Sequence, residues 1–267
     1  MLLSIIIPTL FRPHCLSFFE RNLDFLSNYP SPLDLEIIIV GSPESKNTSV
    51  YQSLSHSFSR CNNVQVLFNG PSIYAAMNNG INSASGDFLY FCGDTDSCEF
   101  FNLMSLVNEA SNMSNPPFVI LASCLVGSKL FVADFPSLSP LRLAFESNPS
   151  HHQAIIYHRS LFDKFGYYDT RFTILSDYFF NLRLRQYLDL LPKPNSIFNL
   201  FRSQLIICEC SQGGVSDTPK FHNYIELFNC KLPYLNPSLW FVAFLSSFFL
   251  FVRKFILRSK YLKSPFR

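Results

Sequence analysis

Residues 72–97 read SIYAAMNNGINSASGDFLYFCGDTDS and change pattern three times. Residues 72–85 have the length of a helix and set Tyr74, Met77 and Ile81 on one apolar stripe. Asp87–Cys92 is then an apolar run of strand length. Past it, Gly93 permits a sharp turn, and Asp94 and Asp96 stand one residue apart. An apolar strand ending this way suits the C-terminal edge of a parallel sheet, where such sheets bind ligands. Two carboxylates there can hold a hard divalent cation, which in turn can hold a diphosphate. The same residues also suit a polar turn capping the helix that begins near Glu99.

Toward the N-terminus the strand pattern repeats at Leu3–Pro8, Leu35–Val40 and Val64–Phe68. Segments of helical length lie between these runs, at 14–28 and 49–60; the first places Leu16, Phe19, Leu23 and Leu26 at helical spacing. The alternation predicts an α/β fold with a mostly parallel central sheet and helices on both faces. No G-x-G-x-x-G follows the first strand and no G-x-x-x-x-G-K-[ST] occurs, which excludes the usual dinucleotide and P-loop readings. Toward the C-terminus, Val119–Val126, Lys129–Ala133, Ala154–Tyr157 and Leu205–Glu209 read as strands, and 160–166 and 178–190 as helices. This later half is expected to complete the pocket begun by the first.

Of the 267 residues 48% are hydrophobic and 15% charged, so the chain is neither disordered nor a nucleic-acid-coating protein. Charge is unevenly placed. Seven of the 21 Lys and Arg follow Glu226 and no acid does, leaving 14 basic against 19 acidic residues before that point. Residues 239–252, LWFVAFLSSFFLFV, carry no charge and lead into RKFILRSKYLKSPFR. Fourteen residues make a helix of only about 21 Å, short of a roughly 30 Å hydrocarbon core. The run therefore reads as a buried helix, or as an interfacial one with Trp240 and Tyr261 near headgroup level. A greasy, basic tail on an acidic body favours the second, attached to an anionic membrane surface. The expected division is a domain over 1–230 and a membrane-associating tail over 231–267. MLLSIIIPTLFRP has no basic segment and no small-residue cleavage site, so it is not read as a signal peptide. The eight cysteines are scattered, and Cys208-Glu-Cys210 by itself is too tight and isolated for a zinc site, so buried free thiols are expected.

Four segments, in order, resemble the inverting family 2 glycosyltransferases of GT-A fold. LSIIIPTL resembles their opening strand and Pro-Thr loop, and residues 72–96 their G-I-Y-D-A-M-N-K-G-I…D-D stretch. Residues 151–184, HHQAIIYHRSLFDKFGYYDTRFTILSDYFFNLRL, resemble their H-Q…R-S-L-F…D-Y-D-L block, and SQGGVS their late turn. The resemblance implies a hexosyl- or N-acetylhexosaminyl-transferase that takes a nucleoside diphosphate sugar, with UDP favoured. The acceptor would be a hydroxyl of a glycan or lipid-linked saccharide in surface-polysaccharide or lipopolysaccharide assembly. It implies a divalent metal, Mn2+ or Mg2+, with Asp96 the direct ligand and Asp94 on metal or ribose. It implies Asp177 as the general base, although capping preference alone reads Asp177 as the N-cap of the following helix. It further implies Pro8 and Thr9 as a wall of the nucleotide pocket, and Tyr74, Asn78, His152 and Gln153 beside the donor, though Tyr74 also suits core packing. The implied location is cytoplasmic, peripheral on the inner face of the plasma membrane, with no nucleic acid involved. The chain departs from the pattern where Val40-Gly41-Ser42-Pro43-Glu44 lacks an expected Asp, where Phe68–Ser72 lacks acids, and where Phe179 replaces a second Asp. Those losses leave open a degenerate, inactive relative that acts as a membrane-bound partner of another glycosyltransferase.

Overall fold

Leu3–Thr9 forms β1, which is flanked on both sides by parallel strands and buried along almost its whole length. Both faces are covered, so the strand reads as an apolar run and not as an alternation. The structure, a computed structural model, describes residues 2–27, 35–146, 151–191, 200–211 and 220–262. From the N-terminus, β1 is followed by α1 (Leu16–Ser27), β2 (Leu35–Gly41), α2 (Ser49–Arg60), β3 (Val64–Leu67), α3 (Ile73–Ser83) and β4 (Phe88–Phe91). Next come β5 (Ser97–Cys98), α4 (Phe100–Ser111), β6 (Val119–Val126), β7 (Lys129–Val132), α5 (Pro140–Phe145) and β8 (Ile155–His158). The remaining elements are α6 (Ser160–Phe165), α7 (Ser176–Leu190), β9 (Leu200–Cys210), α8 (Phe221–Lys231) and α9 (Pro237–Leu262).

These elements fall into two compact units. The first, residues 1–134, 150–170 and 191–211, holds the entire sheet, in the order β3-β2-β1-β4-β8-β6-β9-β5 with β7 beside β6. Pairings among β1–β4 and between β6 and β9 are parallel, whereas β8, β7 and β5 pair antiparallel with their neighbours. Helices cover both faces. Leu3, Ile5 and Ile7 of β1 join Phe18 and Phe19 of α1, Leu54 and Phe58 of α2, and Leu103 and Met104 of α4 in one apolar core. On the opposite face α3 crosses β1 at Gly80, where any Cβ would collide with Ile6. Ser72 and Thr48 cap α3 and α2 by accepting from Ala75 N and Tyr51 N.

The second unit, residues 135–149, 171–190 and 212–267, is helical among its described residues. Its core gathers Leu143 and Ala144 of α5, Tyr178 and Leu182 of α7, Leu227 and Cys230 of α8, and Ala243 of α9. Charged groups are buried beside it. Arg185 Nη1 lies 2.5 Å from Glu146 Oε1, and the Tyr178 hydroxyl is 3.3 Å from the same oxygen. Lys231 Nζ donates to Ala144 O at 3.4 Å, and burial lowers its pKa to about 8.

α9 extends well past the 14-residue apolar run, through Arg253 and Lys254. Its stretch Pro237–Ile256 is long and apolar enough to cross a membrane by length and composition. Ala243 and Ser247 are buried, while Phe241, Leu245, Phe248, Phe249, Phe255 and Ile256 are exposed. The thiol expectation is corrected at one place: Cys92 and Cys98 are paired as a disulfide, and the other six cysteines are free and buried. The spacing could not show this, because the turn between β4 and β5 is what brings the two sulfurs together.

Candidate functional site

β1 and β4 run side by side, Ile6 opposite Phe91, so the segments following them emerge at one edge of the sheet. After β4 the chain turns through Gly93, Asp94, Thr95 and Asp96 before entering β5. At the end of β1, Thr9 Oγ1 donates to Asp94 Oδ2 at 2.7 Å and accepts from Phe11 N at 2.9 Å. Phe11 is held at φ 48°, a left-handed conformation unusual for a bulky side chain. Its ring is buried against Phe19, Tyr51, Phe58 and Phe68, so packing offsets the backbone strain. The strained residue thus fixes the hydroxyl that holds Asp94. Burial holds the Asp94 carboxyl above the ordinary carboxylate range, with repulsion from Asp96 acting the same way; Thr9 and His14 oppose it.

Asp96 is only 4% exposed and is gripped on both oxygens. Oδ1 accepts from Ser211 N at 3.0 Å and faces Ser211 Oγ at 3.5 Å. Oδ2 accepts from Gly93 N and from Gln153 Nε2, each at 3.2 Å. A Cβ on Gly93 would stand 2.6 Å from that oxygen, so the turn admits only glycine without displacing the carboxylate. Gln153 belongs to a 3-10 turn, His152–Ala154, that precedes β8, and its carbonyl accepts from the Tyr90 hydroxyl at 2.8 Å. His152 sits in the same turn, half-buried.

The structure therefore brings together Thr9, Asp94, Asp96 and Gln153, with His152 adjacent to Gln153 in the chain. Pro8 lies in β1 opposite Val40. Tyr74 and Asn78 on α3 engage another partner: the Tyr74 ring meets that of Tyr168 at a tilt of 43° with centroids 5.6 Å apart, and the Asn78 amide bonds both backbone groups of Tyr168. Asp177 belongs to the helical unit, buried in the first turn of α7. α7 begins at Ser176, so Asp177 lies inside the helix and not at its cap, where a negative charge is favoured by the helix dipole. Ser211 opens the SQGGVS turn, and nothing in the sequence around it marks it as a partner of Asp96; residues 212–216 of that turn lie outside the described residues.

No family model matches the chain. Over 111 residues, 42% of its length, it is 32% identical to a PGL/p-HBAD biosynthesis glycosyltransferase of Mycobacterium bovis and to its counterpart in Mycobacterium tuberculosis. The matched stretch spans 43% of those relatives. Among solved structures, Staphylococcus aureus TarS 1-349 in complex with UDP superposes with a TM-score of 0.57 at 15% identity, covering 88% of this chain and 65% of that 1-349 chain. The mannosyltransferase PcManGT from Pyrobaculum calidifontis, in complex with GDP-Man and Mn2+, gives 0.55 at 13% identity, covering 92% and 72%. The chain carries a glycosyltransferase fold. The Asp94–Asp96 turn follows β4 at the C-terminal edge of the parallel strands, the edge at which open α/β sheets in general bind ligands.

Proposed function

We propose that the chain transfers one sugar from a nucleoside diphosphate sugar, UDP-linked by preference, to a hydroxyl of a glycan or lipid-linked acceptor with inversion, in surface-polysaccharide assembly. The observation that carries this reading is the aspartate turn at the ends of β1 and β4, tied on one side to Thr9 and on the other to Gln153. The UDP and UDP-GlcNAc complexes of TarS, the GDP-Man complex of PcManGT and the mycobacterial relatives support it.

The oxygen-only donor set fits a hard divalent cation, Mn2+ or Mg2+, with Asp94 and Asp96 as the residues that would hold it. When bound, such a cation supplies positive charge against the diphosphate leaving group. The chain's own groups do the rest. Gly93 N, Ser211 N and Gln153 hold Asp96 in place, and Thr9 orients Asp94. Pro8 and Thr9 would line the nucleotide, with His152 beside the donor sugar. Asp177 takes the acceptor hydroxyl proton as that oxygen forms its bond to the anomeric carbon and the bond to diphosphate breaks. One in-line displacement inverts the centre, and no covalent enzyme intermediate is needed.

The exposed apolar row of α9, next to Arg253 and Lys254, would rest on the anionic inner face of the plasma membrane. Sedimentation with phosphatidylglycerol vesicles, but not with phosphatidylcholine vesicles, is the expected result.

Thermal melts with UDP, GDP, dTDP and CMP, each with and without Mn2+, test the donor site. One nucleoside diphosphate should raise the Tm in a metal-dependent way. Asp96→Asn should abolish that shift. Asp177→Asn should keep it and lose about 10²- to 10⁴-fold in transfer. No shift with any nucleotide, in folded protein, would overturn the reading in favour of an inactive partner.

A further inference from the structure

Five of the eight cysteines stand around Asp96. Cys98 of β5 pairs in register with Cys208 of β9, and Cys208 pairs in turn with Cys124 of β6. Cys208 and Cys210, two apart on one strand, point to the same side, and their sulfurs are 3.9 Å apart. Cys92 follows β4 directly. Its sulfur, a carboxylate oxygen of Asp96 and the Cys208 sulfur all lie within 4.8 Å of one another, and all three residues are buried.

The sequence made Cys208-Glu-Cys210 look isolated, but the fold brings in two further donors, Cys92 and Asp96, from the turn between β4 and β5. A tetrahedral zinc-class ion with sulfur ligands at about 2.3 Å sets neighbouring sulfurs about 3.8 Å apart, close to the Cys208–Cys210 spacing. Asp96 already has the hydrogen-bonded support that a ligating carboxylate needs: the Gly93 and Ser211 amides and the Gln153 side chain orient it.

We propose that the reduced chain binds one soft or borderline divalent cation of the zinc class at Cys92, Asp96 and Cys208, with Cys210 as the fourth donor. It shares Asp96 with the hard-cation site at Asp94 and Asp96 but draws its other donors from sulfur, and it stands whether or not the chain transfers sugars. Cys92 is first freed from Cys98 by a dithiol or phosphine reductant. With a dithiol, two electrons and two protons pass to the two sulfurs and the reductant closes to its own disulfide; with a phosphine, water gives its oxygen to the phosphorus, forming the phosphine oxide, and its two protons to the two thiolates. The cation then replaces the thiol protons of its cysteine ligands, which leave to solvent.

The probe is Cd2+ titrated into the full-length, phosphine-reduced chain, followed by ultraviolet sulfur-to-cadmium absorption. The expected result is saturation at one equivalent. Cys208→Ser should weaken binding at least tenfold and reduce the absorption, whereas Cys61→Ser, at a buried thiol outside the cluster, should leave both unchanged. If Cys208→Ser does not fold, Cys92→Ser and Cys210→Ser carry the same comparison. X-ray absorption of the zinc-loaded reduced wild type needs no variant, and should show sulfur at about 2.3 Å with oxygen at about 2.0 Å. Absence of a saturable band, equal loss in Cys61→Ser and Cys208→Ser, or a zinc shell of oxygen and nitrogen only would overturn the proposal.

Discussion

Along β1, β2 and β4 the buried side chains are almost all Leu, Ile, Val, Phe and Tyr, whereas α5, α7 and α8 are held by the buried charges Glu146, Arg185, Glu226 and Lys231. The contrast follows from where each unit leaves backbone groups without partners. Strands inside a sheet satisfy their N–H and C=O groups laterally, so their side chains are free to be apolar. Polar side chains in the sheet unit collect instead at strand ends, where Thr9, Asp94, Asp96 and Gln153 meet. A six-residue helix such as α5 has unpaired carbonyls at its end, and these need donors even when buried. Lys231 and Ser246 both donate to Ala144 O at that end. Glu226 plays the matching part for N–H groups, accepting from Thr173 at 2.6 Å and Ile174 at 3.0 Å just before α7.

The sharpest way to break this contrast is at Arg185. Arg185→Ala leaves the buried Glu146 side chain with only the exposed Arg142, at 3.8 Å, and should cost about 3–5 kcal/mol in urea unfolding. A cost below about 1 kcal/mol would mean that the helical unit does not depend on its ions. Lys231 gives the next effect, through pH. Its folded pKa is about 8 against an ordinary 10.5, because burial disfavours the charge. Between those values the unfolded chain holds a proton that folded Lys231 lacks. Wild-type stability relative to Lys231→Met should therefore rise by about 1.4 kcal/mol per pH unit across that window and stay level below about pH 8. A pH-independent difference would remove Lys231 from the argument. In the sheet unit, Gly93→Ala pushes a methyl against Asp96 and should cost about 1–3 kcal/mol, with a smaller Mn2+-dependent nucleotide shift in the same melts. The smallest effect belongs to Thr48→Ala, which removes an accessible cap from α2 and should cost about 1 kcal/mol, read from the urea midpoint.

The sheet unit was largely legible in the sequence, since strands buried on both faces announce themselves as apolar runs. β6 falls on Val119–Val126 as expected, and β1 and β2 differ from expectation by one residue at their ends. β9 was seen only from Leu205, because residues 200–206 of the strand are partly exposed and mix Arg, Ser and Gln with the apolar residues. β5 is two residues long and has no pattern of its own. α5 is only six residues long, too short to show a helical period, and the buried face of α8 mixes Asn223, Glu226 and Lys231 with its apolar residues, so neither stands out in the sequence. At the candidate site, the two aspartates were legible as a turn. Their grip by Thr9, Gln153 and Ser211 was not, because those contacts join residues 57 to 115 positions apart.

The position of β1 between β2 and β4 also sets a timetable for synthesis. β2 is complete at Gly41, but β4 begins only at Phe88, so the second edge of β1 waits for about 47 further residues. At about 5–20 residues per second the ribosome takes roughly 2–10 s to supply them. Throughout that interval Leu3–Thr9 has an unpaired edge in the middle of what will become the core. The nascent chain is at its stickiest then, and its yield in any host depends on how well that short interval is shielded.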